Sequence, residues 1–239
     1  MERLEFERSK GEMTLVGHLE ELRTRLIKVL AALGATSVTC YYYVDSIISW
    51  MILPAGKLYY MNPAEAFFTY CKVALVGGFF ISIPVILYQF WAFVIPALTE
   101  KELSIGFWLV PGSVALFYSG VVFSHYFVVP AAVKFFMGFS TEFLQPMFSL
   151  GQYVSLVISL LFPFGMIFEL PLFIVVMAYF GIVSSRNLIH YRKYAIVIAF
   201  VLGGVISPTP DMFGQAMLAI PIILLYELSI VISKYCLAK

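Results

Sequence analysis

Long apolar runs follow one another along this chain, separated by short polar segments, and the last two runs are shorter than the first four. A helix needs about 20 apolar residues to cross a bilayer. A transmembrane barrel would instead show short strands of alternating polarity, which this chain lacks. The pattern therefore predicts an all-α integral membrane protein with six transmembrane helices, over about residues 24–44, 67–95, 104–132, 151–182, 194–206 and 212–232.

The last two predicted spans have short apolar cores. The fifth has an apolar part of about 13 residues, or roughly 20 Å of helix, and Pro208 and Pro210 follow it. It is either a re-entrant element or a span that crosses a locally thinned bilayer. The sixth contains Gln215, Pro221 and Glu227, which shorten its apolar core in the same way.

The composition excludes several classes of protein. Of 239 residues, 62% are hydrophobic and 12% are charged, whereas a soluble domain is roughly half apolar and about a quarter charged. The net charge of +1 provides no basic field for nucleic acid. Cys40, Cys71 and Cys236 form no CxxC motif or Cys/His cluster, so we expect no metal site and no cofactor. Residues 1–22 are charged and have no early apolar core, so we expect no cleavable signal peptide.

Basic residues predict the orientation, because short cytoplasmic loops are enriched in Lys and Arg. With six spans, one side of the membrane carries only Lys57 and Lys134. The other side carries Arg3, Arg8, Lys10, Arg23, Arg25, Lys28, Lys101, Arg186, Arg192, Lys193, Lys234 and Lys239. We therefore predict cytoplasmic N- and C-termini, a multi-pass location in the inner (cytoplasmic) membrane, and a single polytopic membrane domain over residues 1–239.

Three loop regions have further features. The stretch 14–26, TLVGHLEELRTRL, has leucines at helical spacing, which predicts an amphipathic helix that lies along the membrane before the chain turns in. We assign residues 1–22 to this cytoplasmic segment, in which Glu21 and Arg25 could simply stabilise the helix as an i,i+4 pair. The aromatic-rich segments 44–65 and 134–150 are expected to form short interfacial helices on the outer side.

Polar residues inside apolar spans are costly and need a partner, a cavity or the water boundary. Snorkelling or an interfacial ion pair explains Lys72 and Glu227 as well as function does, because both lie near predicted span ends. His125 is expected to be a hydrogen-bonded packing residue and not a metal ligand. The complete set of such positions is Lys72, Gln89, His125, Gln152, Glu169, Gln215 and Glu227.

Glu169 lies well inside the fourth predicted span, in FPFGMIFELPLF (162–173), between Pro163 and Pro171. Each proline removes a backbone hydrogen bond and bends a helix. A carboxylate beside a bend predicts a concave wall with a polar pocket. The alternative is a protonated Glu169 that is bonded to a neighbouring helix.

Five blocks of the chain resemble one family. HLEELRTRL (18–26), PAEAFFTYCK (63–72), PVILYQFWAFVIPALTEKE (84–102), FGMIFELP (164–171) and SPTPDMFGQAMLAIPIILLYE (207–227) are similar to the signature blocks of the twin-arginine translocase C subunit, TatC. They occur in that family's order and span nearly the whole chain.

The resemblance implies a fold and a function. It implies a curved wall with a concave face, no enzymatic activity, and a receptor that binds twin-arginine signal peptides of folded cargo. Such a core subunit works with single-span subunits, TatA and often TatB, and export across the membrane is driven by the proton-motive force. It also implies contact with membrane lipid and a receptor complex that contains more than one copy of the chain.

The resemblance also assigns roles to residues. It implies signal-peptide binding by Glu21, with Arg23 beside it, by Phe93 and by Glu102 in the first cytoplasmic loop. Carboxylates suit this role because they accept bidentate hydrogen bonds from guanidinium groups. The remaining matched positions are intramembrane or face the single-span partners, and they are Glu169, Asp211, Gln215 and Glu227.

Other functions fit parts of the pattern. A proton-coupled secondary transporter of a small solute would also have broken helices and a buried Glu, although such transporters usually contain internal repeats. An intramembrane hydrolase is disfavoured because HExxH, GxSxG and an aspartate pair within the spans are all missing. A purely structural scaffold overlaps with the receptor interpretation.

Overall fold

Helices form almost all of the described protein. The computed structural model describes residues 15–94, 103–141, 143, 147–207 and 212–236, and a π-helical turn covers Ser124–Val128. This confirms the predicted all-α fold. In chain order the helices are α1 Leu15–Tyr42, α2 Val44–Met51, α3 Pro63–Val94, α4 Leu103–Phe123, α5 Val129–Met137, α6 Leu150–Phe168, α7 Leu170–Tyr179, α8 Ser185–His190, α9 Arg192–Ile206 and α10 Met212–Cys236.

The lengths of these helices support four or five full spans. Within the described residues, the stretches long and apolar enough to cross a membrane are Pro63–Val94, Trp108–Met137, Leu150–Tyr179 and Gly214–Lys234. α1 and α2, bent by 79° at their junction, add a fifth if they count as one span. The predicted span over 194–206 falls in α9, whose 15 residues extend about 22 Å. It is a helix, but shorter than a full crossing.

α1 differs from the prediction at its N-terminal end. Its 28 residues form one continuous helix, so residues 15–26 of the amphipathic stretch are the first part of this helix, and the chain does not turn between them and the first predicted span. The bend occurs after Tyr42 instead. α1 packs along α3, and Thr36 Oγ1 donates a hydrogen bond of 2.8 Å to the carbonyl of Gly78. A Cβ at Gly78 would lie 2.6 Å from the backbone nitrogen of Ser37, so the missing side chain permits this close approach.

The main core lies in the half of the bundle that we predict to be outermost. It combines side chains of α2, the π-helical turn, α5 and α6, among which Val129, Val154, Val157 and Leu160 are fully buried. The hydroxyl of Tyr153 donates a 2.9 Å hydrogen bond to the carbonyl of Met51 and so fixes α2 to α6. A smaller cluster joins α6, α9 and α10. Apolar side chains are also buried toward the opposite ends of the helices, among them Trp91, Leu109 and Ile230.

Two loops pair at the outer end. The amide of Tyr59 donates to the carbonyl of Phe148 at 3.1 Å, and the amide of Leu150 donates to the carbonyl of Tyr59 at 2.8 Å. Glu65, in the first turn of α3, accepts hydrogen bonds from the Gly151 amide at 2.8 Å and from the Ser149 hydroxyl. A carboxylate at the N-terminus of a helix also interacts favourably with the helix dipole. Glu65 thus connects the start of α3 to the start of α6.

The predicted irregularity at FPFGMIFELPLF is present. α6 ends at Phe168, α7 begins at Leu170, and Glu169 lies at the break between them. Pro163 is inside α6, and Pro171 occupies the first turn of α7. The two helices continue as one 30-residue stretch, Leu150–Tyr179. The prolines therefore produce a local break within a continuing span.

Candidate functional site

Five polar and aromatic groups meet where α1 lies beside the C-terminal end of α3. They are the side chains of Glu21, Arg25, Gln89 and Phe93 and the carbonyl of Ala92, and we call them the Glu21 cluster. α1 contributes the carboxylate and the guanidinium from positions four residues apart, which places both on one face of the helix. This end of the bundle is the predicted cytoplasmic end.

The Arg25 guanidinium is held by acceptors from both helices. Its Nε and Nη2 donate to Oε1 of Glu21 at 3.0 and 2.5 Å. Nη1 donates to Oε1 of Gln89 at 3.2 Å, and Nη2 also donates to the Ala92 carbonyl at 2.9 Å. The Arg25 and Glu21 side chains are only 20% and 25% exposed, so this pair is screened less than a fully solvated surface pair. The cluster is therefore a complete guanidinium-binding arrangement.

The second oxygen of Glu21 faces a different neighbour. Oε2 lies 3.9 Å from Nδ1 of His18, and the His18 ring stacks on Phe93 with 4.7 Å between ring centroids. The His18 ring therefore lies between Phe93 and Glu21, two residues that the resemblance assigns to signal-peptide binding. Oε2 is not used by Arg25, so it can accept a hydrogen bond from a second donor.

Two predicted binding residues are not part of the cluster. Arg23 is exposed on α1, and a separation of two residues places it on a different face of the helix from Glu21. Glu102 lies outside the described residues, immediately before the start of α4. Gln89 was predicted only to need a polar partner, and no role was predicted for His18 or for the Ala92 carbonyl.

Glu169 is buried more deeply than a residue on an open concave surface would be. Its exposure is 3%, and Oε2 accepts a 2.7 Å hydrogen bond from the Ser113 hydroxyl of α4. The Ser113 oxygen in turn accepts a 3.1 Å hydrogen bond from Nε1 of Trp91. Within the described residues, Oε1 of Glu169 has no hydrogen-bond partner. The structure thus contains the bond to a neighbouring helix that we held as the alternative, and one oxygen remains unused.

Trp91 links this buried site to the Glu21 cluster. It is 1% exposed and directly precedes Ala92, whose carbonyl binds Arg25. Its ring packs on Phe173 of α7 with 5.7 Å between centroids. The last turns of α3 therefore contribute to both sites, and a displacement of this segment would change both.

The predicted partner-facing residues that are described have partners within the chain. Nε2 of Gln215 donates to the carbonyl of Phe200 at 2.9 Å. Glu227 forms an ion pair with Arg192, with 2.7 Å between Oε2 and Nη2, which is the interfacial pair considered for it. Asp211 lies outside the described residues. The two contacts connect α9 to α10.

His125 is a buried packing residue. Its ring stacks on Trp50 with 3.7 Å between centroids. Its Nδ1 has no hydrogen-bond partner in the part of the chain that the structure describes, so the expected hydrogen bond is not made by this nitrogen. Among the described residues, no group of three or more His, Cys, Asp and Glu side chains is placed to hold a metal ion.

Comparison with known proteins places the whole chain beside one family. The sequence profile of the family described as "Sec-independent protein translocase protein (TatC)" matches residues 17–221. The Sec-independent protein translocase protein TatC of Aquifex aeolicus is 40% identical over 235 residues, covering 95% of this chain and 97% of that one. The protein of the same name from Carboxydothermus hydrogenoformans is 36% identical over 231 residues, covering 95% of each chain.

A solved structure of a protein from the same family is also similar to this chain. A crystal structure of a twin arginine translocase receptor, TatC, in DDM superimposes with a TM-score of 0.80 at 38% identity. The match covers 91% of this chain and 99% of that chain. The similarity therefore includes the arrangement of the helices as well as their sequence.

Proposed function

This chain belongs to the TatC family of Sec-independent protein translocase proteins, and from that membership we propose that it is the membrane receptor for twin-arginine signal peptides. It is a multi-pass membrane protein and a translocase component, not an enzyme. This family membership also replaces the transporter alternative. We also propose which residues bind the peptide and which partners complete the translocase.

The observation that carries the proposal is the way in which the Glu21 cluster holds Arg25. A carboxylate, an amide oxygen and a backbone carbonyl surround one guanidinium. A site that binds an internal arginine in this way has the geometry that an arginine of a ligand requires. Oε2 of Glu21, next to the His18–Phe93 pair, is where the first arginine of the signal binds. An incoming guanidinium could also displace Arg25 from Oε1.

The second arginine is assigned to Glu102. Glu102 lies in the segment 95–102 between α3 and α4, and α3 ends at Val94, directly after Phe93 of the cluster. A carboxylate in this segment can therefore approach the same ligand. Two carboxylates on separate elements would discriminate arginine pairs from lysine pairs, because only guanidinium groups bind them in bidentate fashion.

The apolar stretch of the signal peptide follows the lipid-facing surface near the cluster. Leu26 and Leu30 of α1 and Tyr88 of α3 are exposed, so apolar side chains continue along both helices from the Glu21 cluster. Apolar residues of the peptide would be removed from water along this surface, which supplies affinity beyond the two arginines.

Single-span TatA- and TatB-type subunits bind at Glu169 and at the α9–α10 pair, and the proton-motive force drives export. Oε1 of Glu169 is an unused hydrogen-bonding atom close to a helix break. Gln215 and Glu227 are only partly buried, so their present partners can be exchanged for polar groups of a partner helix. Asp211 completes this set, and a receptor complex with several copies of the chain is part of the same proposal.

Site-specific crosslinking tests the proposal. Photo-reactive residues replace Glu21 and Glu102 one at a time in the full chain, and Glu20 serves as the matched exposed position on α1. A twin-arginine peptide should label from positions 21 and 102 more strongly than from position 20. Labelling from position 20 alone would contradict the assignment. For Glu169, Glu169→Ala should change the crosslinking pattern to a single-span subunit, and an unchanged pattern with normal export would leave it a structural residue.

A further inference from the structure

A groove on the predicted outer half of the protein has no role in the function proposed above. Its volume is about 980 Å³. One wall is the first part of α3 with Phe68, Thr69 and Lys72, and the other is the first part of α6 with Gln152 and Ser155. The loop pairing at Tyr59 and the Glu65 contacts close its outer end. The groove is therefore a built feature, held open by the polar cap of the bundle.

Lys72 is a charged residue on a membrane-spanning helix without a counter-charge. Its Nζ donates a 3.0 Å hydrogen bond to the Ser155 hydroxyl. That hydroxyl donates in turn to the carbonyl of Gly151 at 2.6 Å. Among the ion pairs of the described residues, none includes Lys72. An ammonium group has three N–H donors, so two remain for another acceptor.

Glu65 is the acidic side chain that lines the same groove, but it is already engaged. Its Oε1 accepts from the Gly151 amide at 2.8 Å and from Ser149, and its Oε2 accepts from the Met61 amide at 3.0 Å. These three donors hold the carboxylate at the cap, where it connects the loops to α6. A cation left alone in a membrane-spanning segment is costly, so the groove favours an anionic occupant beside Lys72.

The other residues that line the groove indicate which kind of molecule carries the anionic group. Gln152 is exposed beside Lys72 and has an amide N–H₂ available as a second donor. Phe68, Phe136 and Leu156 supply an apolar surface next to these donors. A site with a cation and an amide at one point and an apolar wall adjoining it fits a molecule with an anionic head and a hydrocarbon chain.

The depth of Lys72 agrees with a lipid headgroup. Ser155 lies five residues after the start of α6, about 8 Å along the helix axis, and the cap loops rise beyond that end. Long lysine side chains in spans extend toward the headgroup level of the bilayer. The ammonium group is therefore placed where the phosphate of a lipid in the outer leaflet can reach it.

We propose that this groove is a phospholipid site, in which Lys72 and Gln152 bind the phosphodiester and Phe68, Phe136 and Leu156 contact an acyl chain. The bound lipid would supply the counter-charge that the described residues do not provide at Lys72. It would also fill the space between α3 and α6 below the cap. This site is separate from the Glu21 cluster and does not depend on signal-peptide binding.

Native mass spectrometry of the full-length protein in mild detergent tests the site. The protein is incubated with phosphatidylglycerol or with the diacylglycerol that has the same acyl chains and no phosphate. Wild type should retain phosphatidylglycerol about ten-fold more than Lys72→Gln does, the size of one charge-assisted hydrogen bond. Lys57→Gln removes an exposed cation on the same predicted side and should match wild type. Lys72→Arg should keep most of the retention.

Thermal unfolding keeps the test interpretable if a variant is destabilised. Phosphatidylglycerol should raise the Tm of wild type and of Lys57→Gln more than that of Lys72→Gln, and diacylglycerol should have a smaller effect on all three. Equal retention by Lys72→Gln and wild type would overturn the proposal, as would equal retention of the two lipids. Carbodiimide coupling of Lys72 to a carboxylate of a co-purified membrane protein would show a protein occupant and would also overturn it.

Discussion

Replacing Glu21 by Gln tests the proposed arginine site most specifically. The substitution removes the negative charge and keeps the size of the side chain. It leaves one acceptor oxygen where there were two, and it introduces an N–H₂ group that faces either Arg25 or the ligand. In the wild-type protein, Oε1 of Glu21 accepts from Nε and Nη2 of Arg25 at 3.0 and 2.5 Å, and Oε2 is 3.9 Å from Nδ1 of His18. The variant therefore has one uncharged acceptor oxygen for both Arg25 and a second guanidinium, where the wild type has two oxygens that share a negative charge.

The expected magnitude follows from the exposure of the site and the charge already beside it. A hydrogen bond between charged groups contributes about 1.5–3 kcal/mol. Glu21 is 25% exposed, and Arg25 already neutralises part of its charge, so we take the lower end of this range. About 1.5 kcal/mol corresponds to roughly a ten-fold loss of peptide affinity. The loss should become smaller as the salt concentration rises, because screening weakens the wild-type contact.

Fluorescence anisotropy with a labelled twin-arginine peptide and the purified protein in nanodiscs measures this loss. Glu20→Gln is the matched control, because Glu20 is the neighbouring acid on α1 and its side chain is exposed. Only Glu21→Gln should weaken binding. Equal affinities for wild type and Glu21→Gln would refute the reasoning, and so would an equal loss in both variants, which would indicate a general charge effect.

Three further predictions test contacts elsewhere in the bundle. Ser113→Ala should lower the unfolding free energy by about 1–3 kcal/mol in thermal or denaturant unfolding, because it leaves Oε2 of buried Glu169 without its donor; an unchanged stability would contradict this. Gly203→Ala should lower the Tm and weaken α9–α10 packing, since its Cβ would lie 2.6 Å from the Gln215 carbonyl oxygen. Gly204→Ala should lower the Tm less, because its Cβ would lie 3.1 Å from the nearest side-chain atom. Equal decreases in Tm for the two variants would show that close packing at Gly203 is not the cause. Glu65→Gln should speed amide hydrogen exchange in the first turn of α6, at a cost of about 1 kcal/mol; unaltered exchange would exclude a capping role.

The all-α membrane fold and the helix break could be predicted from local pattern. Apolar runs set where membrane helices form, because each run must satisfy its own backbone hydrogen bonds in lipid. Pro163 and Pro171 likewise indicated an irregular helix around Glu169, and the break is at this residue. The turn predicted between the amphipathic stretch and the first span was wrong, because α1 runs through both as one continuous helix. The amphipathic pattern of residues 14–26 does not distinguish a separate surface helix from the first turns of a longer one.

The partners of the polar residues could not be predicted from local pattern. Spacing showed that Glu21 and Arg25 could pair, but Gln89 and Ala92 complete the site from more than 60 residues away along the chain. Similarly, nothing near Glu169 in sequence indicated that Ser113 of α4 would bind it. These contacts depend on how the helices pack, and helix packing is decided by many side chains together.

Binding of a twin-arginine signal peptide, compared directly with its twin-lysine counterpart, tests the central claim. The same nanodisc-embedded protein is titrated with two peptides that differ only in the two arginines. Lysine keeps the charge but cannot form the bidentate, planar contact of a guanidinium. We expect the protein to bind the twin-arginine peptide about ten-fold or more tightly than the twin-lysine peptide. Equal affinity for the two peptides would contradict it.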